Sequence, residues 1–237
     1  METNYGVEQI KSLQNVDAIR QMPAMYLGNL NSTEQLVYEI LDNSIDEFMA
    51  GYGNEIIVHI YKDFSVEIID HGRGVPVGPS KIFKDSNGKP MDTLTGLLTT
   101  LHSSGKYSHD EKSGYRTATS GVHGVGACCT VACSEKFIAT VKRNGHIYKQ
   151  EFERGVPTTE VEIIGDSDET GTTMLYKPDK QIFKVSLEPS GRLEHRLSEL
   201  ASLNSGLTIH YINDKKKIDK KFFFEDGIKG YTLQLIE

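Results

Sequence analysis

The residues with the most chemical potential fall in three clusters within the first 130 positions of this 237-residue chain. In the first, Glu39 and Asn43 stand four apart and so share one helical face, about a turn from each other. A carboxylate that can take a proton from water, one turn from a neutral oxygen ligand suited to Mg²⁺, has the makings of a hydrolytic pair. The same residues, with Asp42, Asp46 and Glu47 around them, also fit a solvated acidic helix face. The second cluster is Asp70-His71-Gly72-Arg73-Gly74-Val75-Pro76, directly after an apolar stretch. A carboxylate at a strand end can accept from an exocyclic amine, and glycines let a flat ring approach the backbone; an ordinary glycine turn reads the same way. The third is Gly121-Val122-His123-Gly124-Val125-Gly126, which opens into the apolar run Ala127 to Ala132. Glycines at a helix start expose N–H groups to an anion, and the helix dipole favours negative charge there. A tight turn requiring positive φ is the plain alternative.

These clusters need elements to hold them. Ile10, Leu13, Val16 and Ile19 recur at three-residue steps, which predicts a helix over residues 6–21, with Pro23 beyond its end. A longer helix is expected from Ser32 to Gly51, burying Leu36, Val37, Ile40, Leu41, Ile45 and Phe48. Strands at 55–61 and 65–70 follow, then a Gly- and Pro-rich loop over 71–92 and a helix over 92–102. Residues 103–120 are polar and long for an inert connection, as lids and binding loops are. Beyond a helix starting near Gly124, strands are expected at 135–143, 146–153, 159–164 and 171–177, a helix at 190–203, and strands at 207–212 and 221–225. Helices first and hairpin-linked strands later predict an α+β fold, with helices on one face of a mostly antiparallel mixed sheet.

Composition narrows the function. Hydrophobic residues are 38% and charged residues 25%, the balance of a soluble globular chain rather than a disordered one. No apolar run approaches the ~18 residues of a membrane span, and the N-terminus lacks the pattern of a secretion signal. A cytoplasmic protein without a membrane partner is therefore expected. The net charge of −7 argues against a free-standing nucleic-acid binder. Cys128, Cys129 and Cys133 lack the CxxC spacing of zinc sites and read as small core residues. His102 and His109 read as polar loop residues, and Lys215 to Lys221 as a solvated hairpin leading into a strand at Phe222 to Phe224. Neither GxxxxGK[ST] nor GxGxxG occurs.

The clusters, their order, and Thr170-Gly171-Thr172 farther along resemble the GHKL ATPases. Within that group, IKSLQNVDAIRQMPAMYLG, VYEILDNSIDEFMAG, IIDHGRGVPVG, LHSSGKYS, SGVHGVGA and TGTTMLYKPD are similar to the B subunits of bacterial type IIA topoisomerases, DNA gyrase and topoisomerase IV. The likeness spans nearly the whole chain. It implies ATP and Mg²⁺ as ligands, with Glu39 the general base and Asn43 the Mg²⁺ ligand. Asp70 would accept from the adenine amino group, and Thr172 would share that contact through a water. Ile40, Ile68, Val75, Pro76, Leu98 and Met174 would wall the base, with Gly74 in the glycine turn beside it. Arg73 would close over it, paired with Glu47. Lys106 and the Gly121, Val122, His123, Gly124, Val125 and Gly126 segment would hold phosphates under a lid at 103–120. Arg143 falls where aminocoumarin inhibitors are contacted, and Tyr5 lies in an arm, residues 1–20 with the first helix, that reaches a partner's nucleotide.

The same resemblance implies a dimeric gate, an A subunit in an A2B2 complex, and DNA as partner of the whole assembly. Residues 1–237 would be a single nucleotide-binding domain, mostly monomeric and feebly active by itself, without the transducer and cleavage domains. A nucleotide-gated clamp of chaperone or mismatch-repair type is the alternative, which Glu39, Asn43 and the N-terminal segment disfavour. Four departures from the family pattern stand out: Gln35 where His is usual, His71 within Asp70-His71-Gly72, a lengthened lid at 114–119, and Ser120-Gly121 in place of two glycines. Gln35 predicts slower turnover with near-normal nucleotide binding.

Overall fold

A computed structural model describes residues 15–103 and 124–234. Tyr5, Lys106, Gly121, Val122 and His123, most of the expected helix over 6–21 and all of the lid but Ser103 lie outside the described residues.

Alternating apolar and polar positions build the sheet. Strands β1 (Glu55–Ile60), β2 (Val66–Asp70), β9 (Gly171–Pro178) and β10 (Thr208–Asn213) each bury every second side chain, so one sheet face is core and the other is half-exposed. With β5 (Ser134–Arg143), β6 (His146–Glu153), β7 (Val156–Pro157), β8 (Glu162–Asp166) and β11 (Ile218–Phe222) they form one sheet among the described residues. Its order is β11-β10-β1-β2-β9-β5-β6-β7, with β8 also on β6. Only β1 and β10 pair in parallel there; the other pairings are antiparallel. The α+β expectation holds.

Helix α3 (Glu34–Met49) follows its predicted stripe closely: Leu36, Val37, Ile40, Leu41 and Ile45 are buried, and Phe48 packs partly against the core. Ser32 accepts the Glu34 N–H at 3.3 Å, but Thr33 holds the cap position. Helix α5 (Gly126–Ala132) sits between α3 and β5, burying Cys128, Cys129, Val131 and Ala132. Helix α6 (Leu193–Leu203) covers β10 and β11. Each fully buried Leu or Ile in this layer contributes roughly 1.5–3 kcal/mol.

Three regions depart most from the expected pattern, besides β7, which was not expected, and β8, which begins at Glu162 rather than at 159. Helix α1 (Asn15–Gln21) is followed by a second short helix, α2 (Pro23–Leu27), because Pro at a first helical position costs no hydrogen bond. Part of the expected 71–92 loop is a hairpin, β3 (Pro79–Lys84) and β4 (Pro90–Asp92). Its tip is held by Asp85, whose side chain accepts from the N–H groups of Asn87 and Lys89, and its base by Asp92, which accepts from Gly78 N–H and caps α4 (Thr93–Thr99) through Leu94 N–H. Such side-chain-to-backbone turns leave no hydrophobic period to read. The third is the basic run. Strand β11 starts at Ile218 rather than 221, so Lys220 and Lys221 lie within it and pair with Glu194 and Glu55, while α7 (Ile228–Gln234) follows unpredicted.

Candidate functional site

Strand β2 ends on Asp70, and that terminus is where the second cluster becomes a site. Asp70 is 8% exposed, and its carboxylate accepts three hydrogen bonds from the protein, with acceptor capacity left on Oδ2. Ser44 of α3 donates to Oδ2 at 2.9 Å, while Gly72 N–H (2.9 Å) and Thr172 N–H (3.2 Å) donate to Oδ1. Burial pushes its pKa above the ordinary 3.8, and these donors only partly offset that. Ser44 was not among the residues singled out in the sequence. Its signal is its position five residues after Glu39 on the same helix, which a pattern of carboxylates and amides does not reveal.

The turn after Asp70 is locked from three sides. Glu47 accepts from Arg73 through its backbone N–H, Nε and Nη2, at 2.9, 3.0 and 2.9 Å, a bidentate pair with a third bond. Tyr52, another residue the sequence did not flag, lies under the guanidinium at 4.5 Å. Arg143 of β5 donates to the Gly74 carbonyl at 2.6 Å, and Val75 N–H donates to Thr172 Oγ1 at 3.3 Å. Gly74 has φ of +77°, and a Cβ there would lie 2.6 Å from the Lys142 carbonyl. Its glycine is therefore required by the backbone conformation and by packing against β5.

These groups open onto a cavity of about 1220 Å³. Ile40, Asn43, Glu47, Ile68, Asp70, Arg73, Gly74, Val75, Pro76, Leu98, Thr172, Met174 and Arg143 all line it, so the expected apolar walls and polar end come together. The hairpin β3–β4 supplies the outer rim through Ser80 to Lys84. A space of this size takes a drug-sized or nucleotide-sized ligand comfortably.

Glu39 sits apart from the cavity lining, one turn up α3 from Asn43 and against the first residue of α5. Gln35 Nε2 donates to its Oε1 at 2.5 Å. The acidic cluster on α3 is not a solvated face: Asp46 is 1% exposed, Glu47 is half-buried, and Asn43 alone of this set is exposed. Asn43 donates through Nδ2 to the Glu39 carbonyl at 3.1 Å, which places its amide nitrogen on the helix backbone. One neutral carboxamide beside a large polar-ended cavity fits a Mg²⁺ ion, which takes few protein ligands and draws the rest from phosphates and water. Among the described residues no group of three or more His, Cys, Asp or Glu is placed to hold a metal by itself.

Of the glycine-rich segment, Gly124, Val125 and Gly126 are described: Gly124 has φ of +60°, Val125 holds the cap position, and Gly126 starts α5. The three cysteines are buried and unpaired with one another, their thiols pushed up, to about 12 for Cys128 and Cys133, by burial first. They are core residues, as their spacing predicted.

The fold and this cavity define a nucleotide-binding α+β domain, and sequence comparison places it. The chain belongs to the histidine kinase-, DNA gyrase B- and HSP90-like ATPases, whose family model matches residues 28–181. It is 39% identical to the DNA gyrase B protein of Chlamydia muridarum over 99% of this chain and 29% of that protein. It is equally 39% identical to the DNA topoisomerase 4 B protein of Bacillus subtilis, over 99% of this chain and 34% of the relative. With the DNA gyrase B protein of Thermotoga maritima the identity is 41% over 98% of this chain and 35% of the relative. The chain thus spans about a third of the length of these relatives. Among solved structures, the 43K ATPase domain of Thermus thermophilus gyrase B, crystallised with an aminocoumarin, superposes with a TM-score of 0.78 at 31% identity, covering 94% of this chain and 55% of that one.

Proposed function

We propose that this chain is the ATP-binding and hydrolysing domain of a type II DNA topoisomerase B protein, of the gyrase or topoisomerase IV kind. The observation that carries the reading is the buried Asp70 carboxylate at the polar end of the cavity, held by Ser44, Gly72 and Thr172 beneath apolar walls. Such a carboxylate accepts from the adenine amino group, with Thr172 beside it, while Ile40, Ile68, Val75, Pro76, Leu98 and Met174 sandwich the ring. Arg73, braced by Glu47 and Tyr52, closes one edge.

At the other end, Glu39 takes a proton from the attacking water as the water oxygen bonds to the γ-phosphorus. The bond from that phosphorus to the β,γ-bridging oxygen breaks, and its electron pair leaves with ADP. Asn43 would hold Mg²⁺, which supplies charge neutralisation for the phosphates when bound. The amides of Gly124 to Gly126, with Lys106 and the rest of the glycine segment, are assigned to the phosphates, and Arg143 to inhibitor contact beside the Asp70 turn. The whole protein would pair with an A subunit, act on DNA as a dimer whose gate closes on ATP, and reside in the cytoplasm, with Tyr5 reaching across the dimer.

Calorimetric titration of a non-hydrolysable ATP analogue with Mg²⁺ tests the site. The parent and Glu39→Ala are expected to bind with similar affinity, while Asp70→Ala loses affinity by a factor of about 100 or more. Full binding by Asp70→Ala overturns the adenine assignment.

A further inference from the structure

We propose that the β3–β4 hairpin is a capture device for the nucleotide, in which Lys81 and Lys84 draw the anionic triphosphate to the cavity mouth and speed its entry. The inference rests on the reading of the cavity as an ATP site. The hairpin is a built part of the cavity wall rather than a passive connection. Its pairing is irregular between Pro79 and Lys84, where the buried Ser80 hydroxyl accepts from the N–H groups of Ile82 (3.1 Å) and Phe83 (3.0 Å). Residues three apart on a regular strand point to opposite faces; this break in the alternation lets both Lys81 and Lys84 line the cavity. Phe83 packs directly on Gly96 in the middle of α4, where a Cβ would overlap the ring. A glycine inside a helix costs about 1 kcal/mol against alanine, and this contact accounts for it. At the base of the hairpin, the Thr93 N–H and hydroxyl both donate to the Gly78 carbonyl, at 2.8 and 2.9 Å.

The charges held there run against those of the chain, whose net charge is −7. Lys136, Lys142 and Lys177 on the sheet are paired, with Glu151, Glu169 and Asp63. Lys81 and Lys84 are exposed and have no ion-pair partner among the described residues. Arg143, on the same lining, donates to main-chain carbonyls and keeps its full charge. Glu47 and Arg73 neutralise each other, so these three cations share the lining with a single further carboxylate, Asp70. A cleft lined by one sign of charge concentrates a ligand of the other and raises its encounter rate. Exposed rim charges of this kind act on association and are screened by salt; they add little once the ligand has docked.

The test is stopped-flow binding of a non-hydrolysable ATP analogue carrying a methylanthraniloyl fluorophore, with Mg²⁺. The parent chain is compared with the Lys81→Ala/Lys84→Ala and Lys81→Glu/Lys84→Glu double variants, each with a melting curve, from about 0.02 to about 0.5 M salt. At the low end, association is expected to be about threefold slower in the alanine variant and about tenfold slower in the glutamate variant, with dissociation within about twofold of the parent. The three proteins should converge at the high end, where screening removes the pull. Unchanged association at low salt overturns the proposal. So does slowing that persists undiminished at high salt, the mark of a changed shape, and so does a loss carried by faster dissociation. If the parent does not take up the analogue, the reading of the cavity falls and capture falls with it. If the parent binds and both lysine variants match it, capture alone falls.

Discussion

Asp70 is a carboxylate whose neighbours divide its work. Three protein donors occupy it, and of these only Ser44 is a side chain. Removing that hydroxyl leaves the two backbone donors in place, so Ser44→Ala should weaken binding of a non-hydrolysable ATP analogue by about three- to tenfold, at a cost of about 1 kcal/mol. Calorimetry on the single variant checks this, and an unchanged affinity would mean that Ser44 only packs. The raised pKa of Asp70 carries a second expectation. Because burial lifts it above 3.8, the folded chain still holds this proton in a pH window where the unfolded chain has released it. Its contribution to stability therefore falls as pH rises through that window. Affinity for an amine donor moves the opposite way, weakening as pH drops into it. A titration of analogue affinity downward from about pH 7 should show this loss in the parent and not in Asp70→Asn, which cannot titrate.

Between the elements, a charged clasp fixes α5 from behind. Arg20 of α1 donates to the Ala132 carbonyl at the C-terminus of α5 (2.6 Å) and to Asp179 (2.8 Å), which also accepts from Arg154 (3.1 Å) and from Gln181 N–H (2.9 Å). Asp179 is 1% exposed, yet its carboxyl is held below the usual range: burial alone would raise it, and the Gln181 N–H with the two guanidinium groups outweighs that. A lowered folded pKa means that this contribution is present above pH ~3.8 and is lost as pH falls through the folded value. Asp179→Ala removes the acceptor that Arg20 and Arg154 share, leaving Arg20 on the Ala132 carbonyl and Gln181 and Arg154 on Glu153, and should cost about 1–3 kcal/mol in urea unfolding at neutral pH, with the difference from parent shrinking on acidification. Because the clasp grips the end of α5 opposite Gly126, a loosened clasp should also slow hydrolysis more than it weakens nucleotide binding.

At the level of the whole molecule, the core between the sheet and α3, α5 and α6 contains one polar group that finds no hydrogen-bond partner among the described residues, the Tyr176 hydroxyl of β9. Tyr176 is 1% exposed and stacks on Phe137 with ring centroids 6.2 Å apart. A buried hydroxyl without a partner costs about 1–3 kcal/mol. Tyr176→Phe keeps the ring and removes the cost, so its melting temperature should rise by about 2–4 °C with nucleotide affinity unchanged. A fall in melting temperature would show that the hydroxyl is satisfied after all.

Much of this was written in one dimension. The helical period set the buried stripe of α3, and the alternation of apolar residues placed β1, β2, β9 and β10 to within a residue or two, because both depend on neighbours along the chain. The same local logic put Glu39 and Asn43 on one helix and Asp70 at a strand end, and the order of glycine motifs carried the family resemblance. What the tertiary structure decided involves residues far apart in sequence. Asp70 meets Ser44 and Thr172 across separations of 26 and 102 residues, and Arg143 reaches the Gly74 carbonyl from 69 residues away. Strand β11 and the β3–β4 hairpin had no readable period, since their order comes from cross-strand pairing and side-chain-capped turns rather than from an apolar face of their own. The roles of Ser44 and Tyr52 were set by packing between helices and strands. A serine and a tyrosine look ordinary in a sequence until the fold supplies what they touch.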